Sequence, residues 1–489
     1  MAAFPNPIRL FPALSLMFLA ASCSIPRSQD SGRDPAIFPD YASVTVPVGV
    51  APLNFRLEDS EKSLVQIIAP DGTSLVSRGR RTHFPVRRWH RLLRAAADTS
   101  LTVTVFRFHD GAWQRMNPFS INVSSDPVDR YLSYRLIEPT YGMSGYMCLA
   151  QRDLSNFRQR EFYNNSLDFE RGGKGQCVNC HSFQNWRTDN FQFHVRQHDG
   201  GTVIVRQGKV RKLNLRFPGM LSAAVYPSWH PSEPLIAYSV NKTNQYFYSA
   251  GPCKTEVVDS DSDIFLYDAD ASQMTPVCTD SSRMETFPSW SPAGDRLYYC
   301  SASVDGIEKD RTGHISEDCF KVRYDIFSRP FDTQTRSFGE ERLEVDASSE
   351  GSSVTFPRLA PDGRYLLYTK GSFGNFHIWH KDADLWIKDM VTSESRAVQE
   401  LCSDCTESYH SWSSSGRWVV FSSRRGDNTY TRLYLAHFNP DGTFSKPFLL
   451  PQRSPDFYSR LFKSYNIPEF TVDRVKQSPR KFDISQNES

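Results

Sequence analysis

Residues 40–126 alternate apolar and polar positions in short runs. Val44-Thr45-Val46, Leu64-Val65-Gln66-Ile67-Ile68, Leu101-Thr102-Val103-Thr104-Val105-Phe106 and Phe119-Ser120-Ile121-Asn122-Val123 carry this pattern. A period of two puts successive side chains on opposite faces of a strand. Asp71-Gly72 and Asp110-Gly111 separate the runs as turn pairs. The pattern predicts a small β-sandwich. Between the runs, residues 78–94 hold seven arginines and no acid. They predict a solvated loop and short helix, with a docking patch for anionic lipid or an acidic partner as the sharper alternative.

Beyond about residue 200 the pattern repeats. Four segments align: Tyr226-Pro227-Ser228-Trp229, Phe287-Pro288-Ser289-Trp290, Phe356-Pro357-Arg358-Leu359 and Tyr409-His410-Ser411-Trp412. An apolar run follows each one, at 235–239, 297–301, 365–369 and 418–423. A second run comes later, at 263–268, 325–328, 384–387 and 432–435. The aromatic-Pro-x-Trp piece is expected to begin a strand, and the two runs to be the next strands outward. Such units bury their sheet faces only against neighbours, so a closed ring is the natural solution. The units resemble blades of the periplasmic TolB-type β-propeller over residues 222–450. Residues 201–213 supply strands of a fifth blade and 146–154 part of a sixth, giving six expected blades. The chain is therefore read as mostly β.

The amino terminus has a different character. Arg9 precedes an apolar run, Leu10 to Ala21, that ends in small residues. It is too short to span a bilayer and matches a signal-peptide core. Leu19-Ala20-Ala21-Ser22-Cys23 resembles the lipobox of bacterial lipoproteins, with Cys23 as the lipidated residue. The expected organisation is a signal peptide at 1–22, a tether at 23–39, the sandwich at 40–126, and a motif segment with the first propeller elements at 127–200. The propeller follows at 201–470 and a tail at 471–489. The mature chain is then extracytoplasmic and anchored to the cell envelope, the outer membrane preferred. With 57 basic and 55 acidic residues the formal charge is +2, so no basic excess marks nucleic acid as the partner.

Cys177-Val178-Asn179-Cys180-His181 has the C-x-x-C-H form of a c-type haem attachment site. Two thiols three apart on one helical turn can each add to a haem vinyl group, and His181 is then placed as the proximal iron ligand. A disulfide, or half of a zinc site completed by Cys402 and Cys405, are the ordinary alternatives. Cys402-Ser403-Asp404-Cys405 is followed by Thr406 rather than histidine, so it is read as a disulfide or two free thiols. His194 is the first candidate for the distal ligand, beside Arg196, an arginine that could meet a haem propionate; Met220 is the second, and His198, Met143 and Met147 are further options. The sequence has no G-x-S-x-G nucleophile elbow and no phosphate-binding glycine loop.

The whole chain resembles a family of haem-motif, TolB-like lipoproteins of the Bacteroidota. Ala51-Pro52-Leu53-Asn54-Phe55-Arg56, Gly175-Gln176-Cys177-Val178-Asn179-Cys180-His181-Ser182-Phe183, Phe193-His194-Val195-Arg196 and Glu407-Ser408-Tyr409-His410-Ser411-Trp412-Ser413 carry the resemblance. It implies a sandwich, one haem segment inserted in the propeller, and a cell-envelope location. The expected function is electron transfer or redox sensing through one haem c, without enzymatic turnover, toward an envelope redox or scaffold protein. Two alternatives stand beside it: a propeller scaffold in which the haem or a disulfide is structural, and a haem peroxidase-like enzyme.

Overall fold

The computed structural model describes residues 25–58, 62–138, 145–166, 175–197, 199–248 and 255–482. Cys23, Met143, His198 and Cys253 lie outside them, so the lipidation reading does too.

The N-terminal domain is built on one seven-stranded sheet whose spine is Ser100–His109. Lys62–Ile68 pairs along one edge of the spine. On the other edge Phe119–Ser124 takes the first half and Ala112–Arg115 the second. The alternating apolar residues Val65, Ile67, Leu101, Val103, Val105 and Ile121 point into one core. The helix Val86–Ala95 closes that core with Trp89, Leu92 and Leu93, spaced to share one helical face. Its arginines are left on the other side, as the charge pattern predicts. The expected tether is not free over its whole length. Gln29–Asp30 pairs with Gln114 and Arg115, and Ile37–Phe38 with Arg56–Leu57. An extended segment passing a sheet edge satisfies its backbone groups by joining it.

Six four-stranded blades follow, one with its outer strand split in two. The inner strands of blades 2 to 6 are Gln176–Phe183, Val225–Trp229, Arg283–Trp290, Ser353–Leu359 and Glu407–Trp412. Blade 1 is made from both ends of the ring. Tyr131–Ile137, Cys148–Asp153 and Gln159–Asn164 come first in the chain, and Ser464–Thr471 returns to add the inner strand. This antiparallel closure removes the exposed edges that would otherwise end the ring.

Three sequence expectations change here. The aromatic-Pro-x-Trp piece ends the inner strand instead of beginning one, as Trp229, Trp290 and Trp412 show. The motif segment is not an insertion: it is the inner strand of blade 2, paired with Phe191–Gln197. Its apolar residues Val178 and Phe183 face the blade core with Phe191 and Phe193, which anchors it in the ring. The expected tail is partly packed, with Val475 and Phe482 buried in that same core.

The domains share a core. Tyr134 and Tyr465 of blade 1 and Trp418 of blade 6 are buried in one cluster with Trp89 and Val103. Trp418 Nε1 also donates to the Asp126 carbonyl at 3.1 Å. Among the described residues no helix is long and apolar enough to cross a membrane.

Candidate cofactor site

The six inner strands have one shared irregularity. Each contains a non-glycine residue at positive φ: Cys180 at 52°, Tyr226 at 47°, Phe287 at 52°, Phe356 at 54°, Tyr409 at 46° and Ile467 at 47°. At each, two residues of the inner strand lie opposite one of its neighbour, which is a β-bulge. The next residue is proline in four blades: Pro227, Pro288, Pro357 and Pro468. It is His181 in blade 2 and His410 in blade 6. Proline costs no ladder bond where the bulge has already broken the ladder. The motif Cys180-His181-Ser182-Phe183 therefore occupies the structural position of Tyr226-Pro227-Ser228-Trp229.

This geometry solves a problem that a regular strand would pose. Residues three apart on a strand point to opposite faces. The bulge after Asn179 reverses the alternation, so that Cys177, Asn179, Cys180 and His181 all line one axial cavity of about 440 Å³. The helical turn expected for the motif is absent, and the bulge takes its place in gathering the thiols.

The bulge residues also shape the cavity. Tyr226, Phe287, Phe356 and Tyr409 pack in succession, with ring centroids 4.8, 4.3 and 4.7 Å apart. Cys180 and Ile467 stand at the two remaining positions, in adjacent blades. Both are smaller than an aromatic ring, and the cavity is lined by the motif on one side and by the four rings on the other.

His181 is buried; the Ile467 backbone approaches its ring, but neither ring nitrogen makes a hydrogen bond of good geometry to any described residue. Burial, reinforced by the Arg135 charge, pushes its pKa down to about 3, so the ring is neutral. A neutral imidazole with a free nitrogen is ligand-competent. Burial raises the pKa of the Cys180 thiol, and Cys177 is half-buried; both sulfurs are free. Arg135, Arg196, Arg358 and Glu469 line the same cavity. Burial pushes Glu469 up to about 8, with Arg358 opposing the shift. Arg358 and Glu469 also line a second axial cavity, whose wall includes Trp229, Trp290 and Trp412. The pair thus stands between two compartments of one channel.

The distal candidates are elsewhere. His194 pairs in register with Asn179 but lines a different cavity, and its Nδ1 lies 3.0 Å from Thr202 Oγ1. Met220 packs with Leu215 and Trp229 in the core of blade 3, and its sulfur accepts from the Phe217 N–H at 3.2 Å. The structure brings neither of them to His181. Met147 and His410 do line the motif cavity. The Met147 sulfur accepts from the Val178 N–H at 3.2 Å, and His410 Nε2 is bonded to the Leu367 carbonyl at 3.0 Å. Cys402 and Cys405 are free thiols, the second of the two expected states. Among the described residues no group of three or more His, Cys, Asp or Glu is arranged to hold a metal ion.

Sequence reading missed Arg135, Arg358 and Glu469. A signal existed for two of them. Where other blades have Ser after the bulge, Phe356-Pro357-Arg358 and Ile467-Pro468-Glu469 carry charge.

No family model matches the chain, and no curated protein matches it. Solved structures similar to it are remote. An oligogalacturonate lyase in complex with manganese is 13% identical, over 65% of this chain and 85% of that one, with a TM-score of 0.33. The β-propeller domain of Cps50 (Swd1) from Myceliophteria thermophila is 14% identical, over 55% and 86%, with a TM-score of 0.27. The C-terminal WD40 domain of Sif2 is 10% identical, over 87% and 99%, with a TM-score of 0.28. The six-bladed ring rests on the strand pairing above, and these likenesses carry nothing about activity.

Proposed function

We propose that the chain is an envelope-anchored c-type cytochrome, with one haem held by Cys177 and Cys180 in the axial cavity and His181 as an iron ligand. The supporting observation is that bulge: it turns both thiols and a neutral, buried histidine without a well-formed hydrogen bond toward one cavity with an aromatic wall. When bound, haem would supply one-electron redox chemistry. The chain's own residues would do the rest. The thiols fix the macrocycle, the bulge sets the direction of His181, and the packed rings of Tyr226, Phe287, Phe356 and Tyr409 exclude water from its apolar face. Electron transfer or redox sensing with an envelope partner is the function that follows, and the lipid anchor at Cys23 would keep the protein at the membrane.

The test is haem staining after denaturing electrophoresis of protein made with the cytochrome c maturation machinery. The wild type should stain and the Cys177→Ala/Cys180→Ala variant should not. An unstained wild type, made beside a control cytochrome that stains, sinks the proposal.

A further inference from the structure

The axial cavity carries more positive charge than the motif explains. Arg135 donates through Nη1 to the Val178 carbonyl at 3.1 Å, which sets its guanidinium against the motif strand. Its Nε is buried without a partner. Arg196 lies directly across the blade 2 ladder from Cys177, with Tyr226 as its side-chain partner. Arg358 donates only to its neighbour, the Pro357 carbonyl, at 3.3 Å. Its remaining accessible surface faces the channel. Among the described residues none of the three makes an ion pair. Glu138 and Glu469 are the acids on the wall.

Arg358 feels the Glu469 carboxyl and Arg196 the buried Asp259, but neither acid closes an ion pair with them, and guanidinium groups held this way in a recessed site are costly unless something anionic meets them. Arginine suits carboxylate in particular, since its planar fork donates two parallel bonds. The facing wall is aromatic and apolar. The site therefore fits a ligand with carboxylates on one side and an apolar body on the other.

We propose that Arg135, Arg196 and Arg358 form a binding site for a pair of carboxylates inside the axial cavity. Two sources share that chemistry: the propionates of a haem linked at Cys177 and Cys180, and a free dicarboxylate. The first source rests on the cytochrome reading and the second does not.

Three probes separate them: mesoporphyrin, which has both propionates and no vinyl groups, its dimethyl ester, and succinate. The proteins are the haem-loaded full chain and the Cys177→Ala/Cys180→Ala chain. On the cysteine-free chain, mesoporphyrin should bind at least about tenfold more tightly than its ester, the size of a charge-assisted bond. Arg135→Gln, Arg196→Gln and Arg358→Gln should each weaken the acid and leave the ester unchanged, with melting curves confirming the fold. Arg358→Lys should fall between, because it keeps charge and loses the fork. Succinate binding to the haem-loaded chain assigns the site to a free ligand. Succinate binding only to the cysteine-free chain, in competition with mesoporphyrin, assigns it to the propionates. Equal binding of acid and ester, with no succinate binding to either chain, overturns the proposal. If no covalent haem forms in the wild type but the acid preference and arginine effects persist, the cytochrome reading fails and the carboxylate site stands.

Discussion

His181 and His410 stand at the same point of two inner strands, each following a residue at positive φ, Cys180 at 52° and Tyr409 at 46°. Their ring nitrogens are used differently. His410 Nε2 bonds the Leu367 carbonyl of blade 5 at 3.0 Å and ties two blades together. Among the described residues His181 makes no hydrogen bond of good geometry, only an approach to the Ile467 backbone. One repeat position thus supplies a structural histidine in blade 6 and a weakly held one in blade 2.

Substitution should separate the two roles. His410→Ala should lower stability by about 1–2 kcal/mol, the cost of leaving a buried acceptor unsatisfied, and keep the haem absorption spectrum. His181→Ala should change the spin state of the bound haem with a smaller loss of stability. Thermal melts and visible spectra of the two haem-loaded variants give the comparison. The same spectral change in both would contradict the assignment.

His194 and Met220 are predicted by their surroundings to be spectroscopically silent. His194 is buried beside Thr202 and lines another cavity, while Met220 sits in the blade 3 core. His194→Ala and Met220→Ala should keep the wild-type haem spectrum. A shift to high-spin iron in either would mean that the residue reaches the motif cavity in the loaded protein.

The expected anchor makes its own prediction. Cys23→Ser should move the protein from the membrane fraction to the soluble fraction or leave its precursor unprocessed, because acyl chains are the one anchor proposed. Unchanged membrane association in fractionated cells would remove the lipoprotein reading.

The ring was legible because its signature is local. Tyr226-Pro227-Ser228-Trp229 and its three counterparts mark inner strands by an aromatic residue followed by proline, by tryptophan three residues on, or by both. Outer strands of blades 1 and 2 were legible at 146–154 and 201–213, but their inner strands hid because their versions are degenerate: Ile467-Pro468-Glu469-Phe470 and Cys180-His181-Ser182-Phe183 share only parts of the pattern. The C-x-x-C-H spacing singled out Cys177, Cys180 and His181 but not their conformation, since a helical turn and a bulged strand both gather thiols three apart. Arg196 was legible beside His194 and Arg358 carried a signal in its charge after the bulge, but Arg135 and the meeting of the three were beyond reach. Arg135 lies in blade 1, Arg196 in blade 2 and Arg358 in blade 5, and only ring closure brings them to one cavity.

Closure itself can be probed at Tyr465. Its side chain is fully buried on the returning strand, and its ring centroid lies 4.9 Å from that of Tyr134. Tyr465→Ala should cost about 3–5 kcal/mol, the range for emptying a large aromatic site. Both domains should be affected, because the residue belongs to their common core. Denaturant unfolding followed by tryptophan fluorescence reads the loss. A change below about 1 kcal/mol would mean that the returning strand does not hold the ring shut.

Glu285 sets the last prediction, on pH. It lies on the inner strand of blade 4, 2% exposed, with Ser301 Oγ at 3.4 Å and Arg283 Nε at 3.8 Å. Its second carboxyl oxygen has no partner. Burial raises its pKa from 4.5 to about 7, Arg283 opposes the rise, and Asp263 adds to it. The folded state therefore holds a proton that the unfolded chain gives up near pH 4.5. Between that pH and about 7 the folded state binds more protons than the unfolded one, so stability falls as pH rises. Above about 7 the carboxyl is ionised in both states and no further loss comes from this group. Glu285→Gln keeps the shape and removes the titration. Measured against wild type, the variant should gain roughly 1–3 kcal/mol between about pH 5 and pH 8, because a tenfold difference in proton affinity between folded and unfolded chain is worth about 1.4 kcal/mol. Melting curves of both proteins across that range decide it. A stability difference that stays flat with pH, or that moves against the variant, would show that the Glu285 carboxyl is already charged in the folded protein at the acid end of that range.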